Sequence, residues 1–236
     1  MGFSINLPDT TGKKGDFCFC RCGCVQNKSG NIDKSVFNEE YRTRYQNIKG
    51  IVSREEYILK TFLPIVEEST YGRKFLDVGF THPYKIDYLR NRGWITDGID
   101  LMPNDYIVGD YEKYNFGNKK YDFIWLGNIL QSFDSPGGML IKTHELLNLG
   151  GLAFISTPFT ELMYSVGLKN WGNWNLSENN IYFSKSKLTE VLKTIGFDII
   201  VMRENYSSRF TAWNNLHIVV QKGTDYNAVA VEDING

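Results

Sequence analysis

The chain has 236 residues, 42% of them hydrophobic, enough for one well-buried domain with extensions and too few for two ordinary domains with a comfortable linker. Lys and Arg number 26 against 27 Asp and Glu, a net charge of −1, so no overall field recruits nucleic acid or an anionic membrane. No apolar run approaches the roughly 20 residues of a membrane span, and the opening stretch lacks the apolar centre of a signal peptide, which makes the cytoplasm the expected setting.

Residues 1–33 are rich in Gly, Lys, Asp, Asn and Ser and read as an irregular arm without a core of its own. Gly2 invites a myristoylation reading, but Asn6 stands where that motif prefers Ser or Thr. All four cysteines fall here, at Cys18, Cys20, Cys22 and Cys24, so the rest of the chain has neither disulfides nor a thiol nucleophile. An extended strand puts the four thiols on one face, whereas a turn at Arg21 to Gly23 folds them around one soft cation such as zinc, at a spacing tighter than structural zinc sites use. A metal site, an oxidation-prone mobile segment and lipid attachment all remain open.

Between residues 34 and 69, Val52, Tyr57, Ile58, Phe62 and Ile65 recur at helical spacing, and Ser53 before Glu55 and Glu56 marks a helix start, so one or two helices are expected. Short apolar runs then alternate with helical stretches. Strands are predicted at 74–79, 95–100, 105–108, 121–126, 151–156, 197–203 and 215–221, with helices at 83–92, 137–148 and 185–195, the pattern of a parallel sheet. The last two strands are separated by the short polar stretch 204–214, which has no room for a packed helix, so they should form an antiparallel hairpin. Residues 158–183 break the rhythm and read as an insertion over the strand ends; the tail from 223 reads as frayed.

Six segments stand in a fixed order: Leu76-Asp77-Val78-Gly79, Gly98-Ile99-Asp100, Gly109-Asp110, Tyr121-Asp122-Phe123-Ile124, a Leu146 to Gly151 turn leading to Ile155-Ser156-Thr157-Pro158, and Phe183-Ser184 running to Gly196-Phe197. Each is weak alone; together, over residues 70–222, they resemble the class I S-adenosylmethionine-dependent methyltransferases, especially the small-molecule group related to ubiquinone and sugar enzymes. The resemblance implies an α/β, Rossmann-like doubly wound sheet of seven mostly parallel strands, with helices on both faces. It also implies S-adenosylmethionine as cofactor, with Asp77, Gly79, Thr81, Asp100, Asp110 and Gly127 around it.

The chemistry at these positions has its own logic. A ribose presents two vicinal hydroxyl donors, which one carboxylate at a strand end accepts, and Asp100 ends an apolar strand at the expected distance from Gly79. Asp110 is suited to an adenine amine or to an ordinary turn. Asp77 lies inside an apolar strand, where an unpaired charge is costly, so it needs a partner. Thr81 and Pro83 stand where the family's loop has its second and third glycines, and Thr resists positive φ. Pro83 nevertheless suits a first helical position. The cofactor carries no phosphate, so the loop need not cradle an anion.

His82, in the loop, is the one weak catalytic candidate; His144 reads as a surface residue and His217 as a satisfied core residue. In-line methyl transfer is dominated by alignment, so a strong base is not obligatory. Tyr164, Trp171, Trp174, Tyr182 and Phe183, beside Asn170, Asn173, Asn175 and Glu178, suit stacking on a sugar ring or flat ligand, and equally a packed lid. Nucleic-acid methylation is disfavoured, because Leu126-Gly127-Asn128-Ile129 replaces an Asn/Asp-Pro-Pro-aromatic motif and no cysteine follows Cys24. Two readings stay in play: a methyltransferase for a small hydroxylated acceptor such as a sugar, and a catalytically inactive scaffold of the same fold. A nicotinamide oxidoreductase ranks last, since Thr81 and Pro83 provide no phosphate cradle.

Overall fold

The computed structural model describes residues 3–8, 14–28, 32–46, 50–80, 82–171, 173–175, 177–205 and 215–223; Gly2, Thr81 and the tail beyond 223 lie outside the described residues. Three strands, β1 (Phe3–Pro8), β2 (Lys14–Phe19) and β3 (Val25–Asn27), precede α1 (Glu39–Gln46) and α2 (Ile51–Ser69). There follow β4 (Lys74–Val78), α3 (Tyr84–Arg90), β5 (Ile95–Asp100), β6 (Ile107–Val108), β7 (Tyr121–Gly127), α4 (Pro136–Leu146), β8 (Leu147–Thr157), α5 (Thr160–Val166), β9 (Ile181–Tyr182), α6 (Lys185–Ile195), β10 (Phe197–Glu204) and β11 (Leu216–Lys222).

Seven strands form the main sheet in the order β10-β11-β8-β7-β4-β5-β6. The pairs from β8 to β6 are parallel, whereas β11 runs antiparallel to both β8 and β10, so the terminal hairpin closes one edge. The central strands are buried on both faces, hence their near-continuous apolar sequences. One face packs on α2 and α3 through Ile58, Phe62, Val66, Ile86 and Leu89. The other packs on α4 and α6 through Met139, Leu140, Leu188 and Leu192. Local signals set the helix ends: Ser135 caps α4 with Pro136 at its first turn, and Ser184 caps α6, which stops at Gly196 in the left-handed region (φ +97).

The described residues among the first 33 do not form an irregular arm. β1, β2 and β3 form an antiparallel sheet completed by β9 from the 158–183 segment. The cause is period-two alternation: Phe17 and Phe19 face inward while Cys18 and Cys20 face away, and Phe17 lies 3.9 Å, centroid to centroid, from Trp174. The cysteine string starts on β2 with Cys18 and continues through the β2–β3 turn with Cys20, Cys22 and Cys24. Cys20 N–H donates to the Cys24 carbonyl at 2.9 Å, Gly23 takes φ +85, and Cys24 is buried against Ser184, whose N–H donates to its Sγ at 3.4 Å. Among the described residues no three His, Cys, Asp or Glu side chains are placed to hold a metal ion, so the zinc reading of this string has no support.

His144 also departs from expectation. It is buried on α4 with its ring edge-on to Phe197 at 5.0 Å, because this helix face turns toward β10, and burial lowers its pKa. No helix is long and apolar enough to cross a membrane among the described residues.

Candidate cofactor and acceptor site

The order of the main sheet reverses direction at β4, which has β5 on one side and β7 on the other. The carboxyl ends of such strands part to leave a crevice. A cavity occupies it, floored by Gly79 after β4, Asp100 at the end of β5, Asp110 after β6, Gly127 and Asn128 at the end of β7, and Ser156 on β8. Four of the six expected cofactor residues, Gly79, Asp100, Asp110 and Gly127, therefore share one space. Asp77 lies below it, and Thr81 is outside the described residues.

Gly79 takes φ +69, and a Cβ there would stand 2.8 Å from Ile129 Cγ2, so both backbone conformation and space require glycine. Its N–H donates to the Ile99 carbonyl at 2.8 Å, fixing the chain as it leaves β4. Asp100 accepts the Met102 N–H on Oδ1 at 2.9 Å, leaving Oδ2 for a ligand hydroxyl. Burial pushes Asp100 up to about 6, with the backbone N–H of Met102 opposing. Asp110 is paired with Lys34 at 2.8 Å, and the same ammonium meets Glu112 at 2.8 Å and Asp134 at 3.2 Å. Although burial opposes it, this pairing holds Asp110 below the usual carboxylate range.

Asp77 has the partner its position demanded. Lys85, projecting from α3 and itself buried, reaches Asp77 at 3.2 Å and Glu55 of α2 at 3.1 Å. Burial pushes Asp77 up to about 7 against the pull of Lys85; burial likewise works against Glu55, yet Lys85 keeps it low. A smaller cavity beside this cluster is bordered by Glu55, His82, Lys85 and both Gly79 and Gly127. His82 is exposed at its rim, where Nδ1 accepts the Tyr84 N–H at 3.1 Å and so opens α3 in the manner of a cap. It stands outside the larger cavity.

The aromatic wall comes from a different segment than expected. Trp171 and Trp174 are fully buried between the two sheets, packed on Phe17 and Tyr182, because the N-terminal sheet needs that apolar face covered. Tyr164 is exposed and borders neither cavity. Trp171 and Trp174 are thus packing residues, and Tyr164 lies away from both cavities, so none of the three lines a ligand site here. The cavity is roofed instead by Phe37, Tyr41 and Tyr45 before and along α1. The 158–183 segment contributes through Glu178, which accepts from Tyr45 Oη at 2.8 Å and pairs with Arg44 at 2.9 Å, holding α1 across the opening. The signal was present in the sequence: positions 37, 41 and 45 repeat every four residues, which puts them on one helix face.

At the β7 and β8 ends, Asn128 adopts φ 60, rare for a residue other than glycine. The surroundings hold it there. Its N–H donates to the Ser156 carbonyl at 2.8 Å, and its Oδ1 accepts from Asn215 Nδ2 at 3.1 Å, which also donates to Ser156 Oγ at 3.0 Å. Ser156 therefore keeps its own hydroxyl proton for another acceptor. His217, two residues beyond Asn215, is buried against Phe62 and Phe154, and burial lowers its pKa to about 4.

The polar capacity left over fits an adenosyl sulfonium cofactor. Asp100 offers an acceptor for a ribose, and Gly127 is required where it stands because the Trp125 indole fills the space beside it: Trp125 Nε1 lies 2.5 Å from where a Cβ would sit and has no hydrogen-bond partner. A buried indole N–H left so costs about 1–3 kcal/mol.

Comparison with known proteins agrees with this geometry. The family model described as a methyltransferase domain matches residues 52–201. No curated protein resembles the chain closely enough in sequence to count as a match. Among solved structures, magnesium protoporphyrin IX methyltransferase from Synechocystis PCC 6803, with bound S-adenosylhomocysteine, superposes with a TM-score of 0.60 at 13% identity, covering 80% of this chain and 98% of that one. The plantazolicin methyltransferase BpumL, in complex with S-adenosylhomocysteine, gives 0.59 at 15%, covering 80% and 93%. The 1,6-didemethyltoxoflavin-N1-methyltransferase of Burkholderia thailandensis, with its substrate and S-adenosylhomocysteine, gives 0.58 at 14%, covering 89% and 96%. At these identities the likeness is one of fold.

Proposed function

Because the chain belongs to the methyltransferase domain family, with residues 52–201 matching, we propose that it transfers a methyl group from S-adenosylmethionine to a small hydroxylated acceptor. The observation that carries this reading is the cavity at the sheet's reversal, in which Gly79, Asp100, Asp110 and Gly127 converge beneath a roof of Tyr41 and Tyr45. When bound, the cofactor supplies an electrophilic methyl group on a sulfonium. Asp100 would take the ribose hydroxyls, and the turn carrying Asp110 would border the adenine.

The chain's own residues do the alignment. Asn128 and Ser156 stand at the ends of β7 and β8, next to Gly127, where an acceptor would face the methyl group. The Ser156 hydroxyl, fixed by Asn215, donates to an acceptor oxygen, and Tyr41, Tyr45 and Phe37 exclude water from above. The structural relatives act on 1,6-didemethyltoxoflavin, magnesium protoporphyrin IX and plantazolicin, so the fold admits varied small molecules. Of the aromatics that suit a sugar ring, Trp171, Trp174, Tyr182 and Phe183 are buried and Tyr164 borders neither cavity, so they lend no support to a sugar in particular.

A second reading has two contacts in its favour. Ile129 against Gly79 and Lys34 on Asp110 close parts of the cavity with the chain's own side chains, as an inactive scaffold would require. Methyl transfer from labelled S-adenosylmethionine to a panel of hydroxylated small molecules separates the two: turnover lost in Asp100→Asn supports the enzyme, and ligand binding without turnover on any acceptor favours the scaffold.

A further inference from the structure

The cysteines between residues 18 and 24 border neither cavity. Their access to solvent differs: Cys20 is exposed, Cys18 and Cys22 are partly buried, and Cys24 is buried against Ser184. From Cys20 to Gly23 the chain makes a turn, closed by the Gly23 N–H donating to the Cys20 carbonyl at 3.0 Å. The turn bends the chain at Arg21, and the Cys22 N–H donates to Cys20 Sγ at 3.4 Å. Cys18 is also two residues from Cys20, but along β2, where two residues span about 6.8 Å, the far limit for bridged Cα atoms. Other elements hold the turn. Ser184, the cap of α6, donates its hydroxyl to the Cys22 carbonyl at 2.7 Å, and Thr160 at the start of α5 donates its own to the Gly23 carbonyl at 2.8 Å.

A fixed turn of this kind keeps two thiols side by side before any reaction, so closing a bond between them costs little further ordering. Hydrogen bonds from the Cys22 thiol and backbone N–H lower the Cys20 pKa, which favours its thiolate, with a smaller pull from Lys187 of α6. Burial pushes Cys22 up to about 12. The exposed thiol is thus the attacking one and its neighbour the protonated partner. We propose that Cys20 and Cys22 form a redox dithiol that exchanges with small disulfides. The Cys20 thiolate attacks one sulfur of the small disulfide, forming a mixed disulfide and releasing the first small thiol. Cys22 then gives up its proton, attacks the Cys20 sulfur and expels the second. Two cysteines are oxidised to one disulfide, the small disulfide is reduced to two thiols, and the two protons the cysteines lose end on those thiols. The site does not depend on the methyltransferase reading.

Oxidised glutathione is the probe that tests it. The full chain, reduced and then freed of reductant, is treated with it, quenched by alkylation at intervals and read by mass spectrometry. Trypsin cuts after Arg21, so a Cys20–Cys22 bond joins two peptides, and fragmentation places the bond. Wild type should lose two alkylatable thiols and the mass of two hydrogens, with the bond between Cys20 and Cys22. Cys22→Ser should stop with glutathione held on Cys20. Cys20→Ser should take up glutathione about tenfold more slowly and form no bridge, whereas Cys18→Ser should bridge as wild type does. A wild-type bond to Cys18 or Cys24, glutathione left on wild-type Cys20 without closure, or no reaction at all overturns the pair. So does a Cys20→Ser protein that reacts as fast as wild type.

Discussion

The ammonium of Lys34 rests 2.8 Å from the carboxylate of Asp110, tying the segment before α1 to the turn after β6. Lys34 also serves Glu112 and Asp134, so Lys34→Met leaves three carboxylates without their common cation. We expect a loss of roughly 1–3 kcal/mol at pH 7 in urea unfolding. Asp110 is held below its ordinary pKa, so this contribution is present above that value and disappears as pH falls through the lowered one. The gap between wild type and variant should shrink from pH 7 to pH 3; a constant gap would remove Lys34 from this role.

Asp100 works in the opposite sense. Burial raises it from the ordinary 3.8 to about 6, so ionisation in the folded state is disfavoured, and stability falls as pH rises from 3.8 to about 6. Asp77, raised to about 7, adds the same sign over a window reaching to about 7. Asp100→Asn should therefore gain stability relative to wild type as pH climbs from 4 to 7, while losing affinity for S-adenosylhomocysteine. Urea midpoints at four pH values that run parallel for the two proteins would refute the burial argument.

Gly79→Ala meets two separate obstacles. The left-handed backbone at φ +69 costs a Cβ about 1–2 kcal/mol, and Ile129 blocks the space at 2.8 Å. Adding Ile129→Ala should restore only the steric part. A double variant as stable as wild type would show that the backbone conformation at Gly79 imposes no strain on a side chain.

Trp171→Ala should destabilise the protein by about 3–5 kcal/mol, the cost of emptying a fully buried aromatic position. Tyr164→Ala should change stability by no more than about 0.5 kcal/mol, since that ring is exposed. Neither should alter ligand affinity of the folded protein. A selective loss of acceptor binding in Trp171→Ala, without loss of stability, would return that residue to the site.

The main sheet was legible in the sequence because its strands and helices are local signals: the predicted 95–100 and 185–195 reappear as β5 and α6 with the same bounds. The N-terminal sheet was not. Phe17 and Phe19 do alternate with Cys18 and Cys20, but the polar composition around them masked the period, and the partner strand β9 lies more than 150 residues away. The positions of Asp100 and Asp110 at the cavity could be read from strand ends. The roles of Lys34 on Asp110 and of Lys85 on Asp77 could not, because each depends on tertiary approach between segments whose charges look like ordinary solvated residues in the sequence. The aromatics failed for a similar reason: burial of Trp171 and exposure of the cavity face of Tyr41 follow from how the N-terminal segment wraps, not from local pattern.

In the proposed function the crevice at the reversal of the sheet holds an adenosyl cofactor through Asp100. Calorimetric titration of the full chain with S-adenosylhomocysteine tests it most directly, with Asp100→Asn alongside. One ligand per chain is expected, with an affinity at least about tenfold weaker in Asp100→Asn. No detectable heat with wild type at millimolar ligand, or equal affinity in the two proteins, would contradict it.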